Sequence, residues 1–337
     1  MNPVVTIGIP VYKRLHCLPR ALQSVAAQDY PYIELIVSDN GMNGNKVKEI
    51  AEKWYPRPFR FRQNTTTVNV SAHYNQIIQE ASGEYFAMLD DDDVLGPRWV
   101  SELLSILNDS PEVAIAMAQQ EAVDASGTIL ARSSPTIPDY LTAEEFFKTW
   151  SQWGFTNYTT FLSRTNALRQ CAGYPDYPRG FHIEDAVIIK LSVGHKIAFS
   201  KQCVFRLLRD ESSMVSSINI QELAEATRLF LKFLDTDPLI LEHARCQPDT
   251  WKRSKEPLVT AAWQTYFHKW NTVFRQKMSL GSWMKAGMVG SLMRISAYRS
   301  AVRSAYFHAI EEWLILALKR HMPWVVKVYQ ALASRSK

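Results

Sequence analysis

Tyr85-Phe86-Ala87-Met88-Leu89 runs directly into Asp90-Asp91-Asp92-Asp93, and Gly96-Pro97 closes the segment. Five apolar residues in a row read as a buried strand. In an open α/β sheet, ligands sit outside the carboxyl ends of the strands. Four adjacent carboxylates at such an end repel one another, so either some stay protonated or a cation neutralises them. If the chain stays extended, alternate side chains share a face. Asp90 and Asp92 then point together, and Asp91 and Asp93 point away. Two carboxylates on one side, with room for water and phosphate, suit Mg²⁺ or Mn²⁺. The plainer alternative is a solvated Asp-rich loop before a helix. The apolar strand ahead and the helical spacing of Val100, Leu103, Leu104 and Leu107 behind weigh against it. An EF-hand loop starting at Asp90 needs Gly at its sixth position and Glu at its twelfth, where Leu95 and Ser101 stand.

The segments before this strand repeat one pattern. Val4–Ile9 is a short apolar strand, followed by a helix with Leu15, Leu18, Leu22 and Val25 on one face. Ile33–Val37 is a second strand, followed by a helix carrying Val47, Ile50, Ala51 and Trp54. Phe59–Phe61 is a third strand. Val70, Tyr74, Ile77, Ile78 and Ala81 mark a helix that stops at Ser82-Gly83. Strand and helix in alternation predict a mostly parallel sheet with helices on both faces. Further on, strands are expected at Val113–Ala118, Thr128–Leu130, Phe161–Leu162, Ile197–Phe199 and Val204–Leu208. Helices are expected from Thr142, from Thr165 and over Ile183–Ser192. From about residue 218 only helical signals remain, with polar breaks near Asp235–Pro238, Pro248 and Pro257. The expected division is a domain over 1–217 and a helical region over 218–337.

Three strands thus end in Pro10-Val11-Tyr12, Asp39-Asn40 and Asp90–Asp93. An aromatic ring, a hydrogen-bond acceptor and an acidic pair at one crevice match a base, a sugar and a diphosphate. Tyr12 can pack on a base and Asp39 can accept from a pyrimidine N–H. Asp39-Asn40-Gly41 also reads as a simple turn, since these residues favour turns for local backbone reasons. No Walker-type loop and no G-x-G-x-x-G follows a strand. Phosphates are therefore expected to be held by metal and basic side chains rather than by a glycine-rich cradle.

Several stretches together resemble bacterial family-2 glycosyltransferases of the GT-A fold. They are Ile7-Gly8-Ile9-Pro10-Val11-Tyr12-Lys13-Arg14, Ala21–Val25 with Gln28 and Tyr30-Pro31, Ile33–Gly41, and Ala81–Tyr85 running into Asp90–Asp93. Gly173-Tyr174, Glu184-Asp185 and Gly194–Ile197 follow in the family's order. The resemblance covers roughly residues 4–210. It implies a Rossmann-like nucleotide-binding half and an acceptor half, and a single-displacement, inverting sugar transfer of hexosyltransferase type. Asp39 would contact the base, with Pro10 and Tyr12 lining its pocket. Asp90 and Asp91 would lie beside the nucleotide, with Asp92 and Asp90 as ligands of Mn²⁺ or Mg²⁺. Asp185 would be the general base and Glu184 would bind acceptor hydroxyls. His182 would lie at the acceptor site or act as an alternative base. Arg206 or Arg209 would clamp phosphate. Asp185 also has a plainer reading, because acidic residues in a helix's first turn are favoured by the macrodipole. Ser38-Asp39, Met42-Asn43-Gly44 and Thr67-Val68-Asn69 depart from the family pattern and leave the donor sugar open.

Charge is divided unevenly. Residues 251–337 hold 15 Lys and Arg against 3 Asp and Glu, and six of the ten tryptophans. The rest of the chain is net negative. Basic segments with aromatic anchors, such as Trp283, Arg294, Trp313 and Trp324, suit an anionic membrane surface. No window reaches the ~18 uncharged apolar residues of a spanning helix, and no leader peptide is evident at the first residues. Four scattered cysteines without a CxxC pair fit a reducing compartment. The expected setting is the cytoplasmic face of the membrane. The expected partners are a nucleotide-sugar, a glycan or lipid-linked oligosaccharide acceptor and anionic lipid, with no nucleic acid. The competing readings are a sugar-nucleotide nucleotidyltransferase and an inactive carbohydrate- or membrane-binding scaffold. The first lacks its Gly-rich N-terminal loop; the second is opposed by the Asp90, Asp92 and Asp185 set.

Overall fold

The computed structural model describes residues 2–133, 136–149, 160–209 and 220–274. Its first half is β1 (Val5–Val11), α1 (Leu18–Ala26), β2 (Ile33–Asp39), α2 (Lys46–Trp54), β3 (Arg60–Gln63), α3 (Val70–Glu80) and β4 (Tyr85–Met88). β1 pairs in parallel with β2 and β4, and β2 with β3. The order β3-β2-β1-β4 brings the carboxyl ends of these strands to one edge of the sheet, as the alternation predicts. The apolar runs are continuous because both faces are covered. In β4, Phe86 and Met88 join one apolar cluster while Tyr85 and Ala87 join the other. Gly8 allows this packing: a Cβ there would come 2.4 Å from Ile77 Cγ2, so α3 lies close on β1.

The second half comprises β5 (Val94–Leu95), α4 (Trp99–Asp109), β6 (Val113–Val123), β7 (Ile129–Arg132), β8 (Tyr140–Thr142), α5 (Ala143–Thr149), β9 (Leu162–Arg164), α6 (Thr165–Gln170), a 3-10 turn (Pro178–Gly180), α7 (Ile183–Ser192) and β10 (Lys196–Leu208). β9 runs antiparallel between β4 and β6, and β6 and β10 are parallel. The two strands expected at 197–199 and 204–208 are one strand, with its register shifted between Ser200 and Val204. β5 and β8 were not legible, being only two and three residues long.

Three helices follow: α8 (Ile220–Thr236), α9 (Pro238–Cys246) and α10 (Pro248–Phe274). The break expected at Pro257 does not occur, and α10 continues through it. Proline removes one amide and crowds the preceding turn. Buried Trp251 before it, and buried Leu258, Val259, Ala262 and Trp263 after it, hold both flanks in place. Leu223, Phe230 and Trp263 share an apolar cluster with Phe146, Ile183 and Phe199. These helices therefore extend the core on one face of the sheet. The expected boundary at 217 and the tryptophans at 283, 313 and 324 lie outside the described residues.

Candidate active site

The strand β4 fixes where the acidic run begins. Leu89 still donates its amide to Gly8 O at 2.9 Å. The chain then turns, with the Asp93 amide donating to Asp90 O at 3.1 Å. This turn corrects the extended path assumed above. Asp90, Asp92 and Asp93 each bring a carboxylate oxygen to within 4.8 Å of the others. Asp93 thus joins the cluster, and Asp91 alone turns aside. Asp91 accepts from the Tyr12 amide at 3.5 Å and from Arg14 at 3.3 Å. Arg14 also pairs with Asp92. Its guanidinium offsets part of the charge of this edge, a role not assigned from sequence although it stands just beyond Tyr12 at the same strand end.

The cluster is electrostatically compressed. Burial, reinforced by the charge of Asp92, raises the pKa of Asp90 to about 6. Burial raises Asp91 to about 7 against the pull of Arg14. Burial and the charges of Asp90 and Asp92 push Asp93 well above the carboxylate range. Asp93 Oδ1 accepts from the Leu208 amide at 3.2 Å, while the buried Oδ2 has no partner among the described residues. An orphaned carboxylate oxygen inside a ring of acids fits a hard divalent cation. Asp90, Asp92 and Asp93 are the residues that would hold one. Tyr74 on α3 donates to Asp90 Oδ1 at 2.6 Å and stands edge-on to Tyr174, with ring centroids 5.1 Å apart.

The other wall is the start of α7. Burial raises Glu184 to about 8, and the charges of Asp90 and Asp185 add to that rise, so Glu184 lies within range of the charge of Asp90. Near neutral pH Glu184 is thus a hydrogen-bond donor as well as an acceptor. Asp185 is partly exposed and lies 2.8 Å from His182 Nδ1 through its Oδ2. His182 is buried and stacked on Phe230, so it does not present its ring to solvent as an acceptor-site histidine would. The approach to α7 is pinned by Asn75, which bonds the backbone N–H and C=O of Tyr174, both at 2.8 Å.

At the ends of β1 and β2 the arrangement differs. Tyr12 is 48% exposed, whereas Pro10 is buried inside β1. Asp39 is buried, and each of its oxygens accepts two hydrogen bonds. Oδ1 takes the Gly41 amide and Asn43 Nδ2; Oδ2 takes the Asn43 amide and Gln63 Nε2, all at 2.8 to 3.0 Å. Its carboxylate ties down the loop after β2. Gly41 is required there, because a Cβ would lie 1.7 Å from Tyr12 O. Arg206 is engaged by Glu121 at 2.9 Å, and Arg132 holds the same carboxylate. Arg209 is close enough for its charge to act on Asp93.

Comparisons with known proteins agree with this geometry. Residues 6–171 match the model of "Glycosyl transferase family 2". The chain is 24% identical over 190 residues to the putative glycosyltransferase EpsE of Bacillus subtilis, covering 55% of this chain and 64% of that protein. It is 30% identical over 105 residues to the putative colanic acid biosynthesis glycosyl transferase WcaA of Escherichia coli, covering 31% and 38%. An uncharacterized glycosyltransferase of Rickettsia felis is 31% identical over 135 residues, of which this chain covers 22%. The chain thus spans less than two thirds of each of these relatives. Among solved structures, S. aureus TarS 1-349 in complex with UDP superposes with a TM-score of 0.61 at 14% identity, over 95% of this chain and 92% of that one. The mannosyltransferase PcManGT of Pyrobaculum calidifontis, with GDP-Man and Mn²⁺, gives 0.53 at 16% identity, over 93% and 88%. At these identities the likeness establishes the fold. Residues 6–171 thus match glycosyl transferase family 2, and the chain is built on the GT-A fold of these neighbours.

Proposed function

We propose that the chain is a metal-dependent, inverting glycosyltransferase that moves a sugar from a nucleotide-sugar, with UDP as the expected nucleotide, to a hydroxyl of a surface glycan or lipid-linked oligosaccharide. The observation that carries this reading is the acidic edge at Asp90, Asp92 and Asp93, with Glu184 at the start of α7 within range of the charge of Asp90. When bound, a divalent cation on that edge would stabilise the charge of the departing diphosphate. Arg14 and Arg209 add positive charge beside it. Glu184 orients the acceptor. Asp185 takes the proton of the attacking hydroxyl as the new C–O bond forms and the sugar–phosphate bond breaks. Such base catalysis typically contributes ~10²–10⁴-fold. One base and no protein nucleophile is what single-step inversion requires. The complexes of TarS and PcManGT with UDP and with GDP-Man and Mn²⁺ support the donor class, and the names of WcaA and of the succinoglycan protein ExoM support the acceptor class.

A thermal-shift panel of UDP, GDP, dTDP and CMP with Mn²⁺, Mg²⁺ or chelator tests the donor site. A ligand at 100 times its Kd adds about 2.7 kcal/mol of stability. A metal-dependent shift with UDP is expected; no shift with any nucleotide would overturn the reading in favour of an inactive scaffold. The net charge of +12 in residues 251–337 supports docking on an anionic membrane surface from the cytoplasmic side. No helix among the described residues is long and apolar enough to cross a membrane. Flotation with anionic vesicles tests the docking, and absence of the protein from the floated fraction would remove it.

A further inference from the structure

We propose that His182 is the positioning residue of Asp185, and that α8 is thereby part of the catalytic apparatus; this rests on the reading of Asp185 as the general base. A carboxylate oxygen can only accept, so in the 2.8 Å contact between His182 Nδ1 and Asp185 Oδ2 the imidazole is the donor. The hydrogen bond commits Oδ2. Among the described residues the Asp185 carboxylate has no other hydrogen-bond partner, which leaves Oδ1 as the oxygen that receives the acceptor's proton.

The imidazole is itself held. Its Nε2 lies 3.2 Å from Thr227 Oγ1 on α8, a hydroxyl whose one proton can go either to that nitrogen or to Leu223 O at 2.9 Å. The ring stacks on Phe230, also on α8, with centroids 4.9 Å apart and planes 20° apart. The side chain of His182 is 2% exposed, against 31% for Asp185. One member of the pair is sealed in the core and the other is partly open to solvent, as a fixed arm and its tool would be placed.

The backbone adds an independent indication. His182 sits at φ 64°, ψ 12°, a left-handed conformation uncommon for a residue with a Cβ. It makes no side-chain cap to α7, so helix capping does not account for the residue. Strain of this kind persists where the surroundings over-determine it, and it clusters at functional sites. Here it turns the imidazole back toward Asp185 and inward to α8.

Two substitutions separate positioning from packing. Asparagine accepts the left-handed conformation and carries an N–H donor at the same bond separation from Cβ as Nδ1. Alanine removes the donor. His182→Ala is expected to lower kcat about 10²-fold, the order of effect of a misplaced catalytic group, with the KM for UDP-sugar and the UDP–Mn²⁺ thermal shift unchanged. His182→Asn is expected to recover to within about 10-fold of wild type. Equal activity of the alanine variant and wild type, or equal impairment of both variants, would overturn the proposal. Nitrogen-15 NMR of the histidine-labelled full chain supplies a readout that does not need turnover. The His182 signal, identified by its loss in His182→Asn, should show a protonated Nδ1; an unprotonated Nδ1 overturns the proposal. Asp185→Asn with undiminished turnover would instead refute the base assignment and leave the protonation of His182 as measured.

Discussion

Asp39 and the Asp90–Asp93 run occupy equivalent places, at the carboxyl ends of β2 and β4, the two parallel strands that flank β1, and both are largely withdrawn from water. Asp39 has four donors around two oxygens, which is close to the capacity of a carboxylate. It organises a loop that Gly41 allows to approach Tyr12. The acids after β4 are short of donors: Asp93 Oδ2 has none among the described residues, and Arg14 is shared between Asp91 and Asp92. The first carboxylate is satisfied by the chain that surrounds it. The second set is left with unmet negative charge, which is the condition for binding a cation. Residue type and strand-end position are the same in both; the supply of donors separates an acid its own loop satisfies from acids left short of partners.

Substitutions at the two places should have opposite signatures. The largest effect is expected for Asp92→Asn, which should abolish the metal-dependent part of the nucleotide thermal shift and lower turnover by on the order of 10²–10³-fold. Undiminished turnover would remove Asp92 from the metal site. Asp39→Asn replaces an acceptor by a donor facing two N–H groups, and should cost about 2–3 kcal/mol of stability by chemical denaturation. A neutral result would show that the loop after β2 does not depend on this carboxylate.

Beneath Asp39, His73 lies 2.8 Å from Ser38 Oγ, and burial together with the nearby charge of Arg62 lowers its pKa to about 4. The unfolded chain takes up a proton near the ordinary pKa of ~6.5, before the folded one does. Stability is therefore retained above pH ~6.5 and lost as pH falls toward 4, by about 2 kcal/mol at pH 5. His73→Gln should flatten this limb, and identical pH profiles for the two proteins would contradict the assignment. The smallest effect is expected for Asp93→Asn. Since Asp93 titrates well above the usual range, its ionisation destabilises the metal-free protein as pH rises. The variant should gain on the order of 1 kcal/mol over wild type at pH 8 and less at pH 6. Loss of stability at pH 8 would mean that the orphaned oxygen is not a source of stored repulsion.

The sheet and its acidic edge were legible because they rest on local periodicity. Two-residue alternation in β4 sends Phe86 and Met88 to one core and Tyr85 and Ala87 to the other. Helical spacing marked α1 to α4, and the covered sheet required both. The short strands β5 and β8 were not legible, because pairing with β10 creates them. The helix through Pro257 was misread because the local penalty was weighed without the tertiary anchors on either side. In the site, Tyr12, Asp90, Asp92 and the Glu184–Asp185 pair could be placed by strand ends and helix starts. The partners that define their chemistry could not.

The sequence by itself determined that a parallel sheet would gather an aromatic residue, an acid and an acidic run at one edge, since strand ends and periodicity are local properties of the chain. Only the tertiary structure decided which acids are satisfied and which are strained. It spent Arg206 on Glu121, tied up both oxygens of Asp39, swung Asp93 into the cluster and set His182 between Asp185 and Thr227, 45 residues apart from the latter. Hydrogen-bond capacity and burial are shared among residues distant in sequence, so their allocation is fixed when the elements pack.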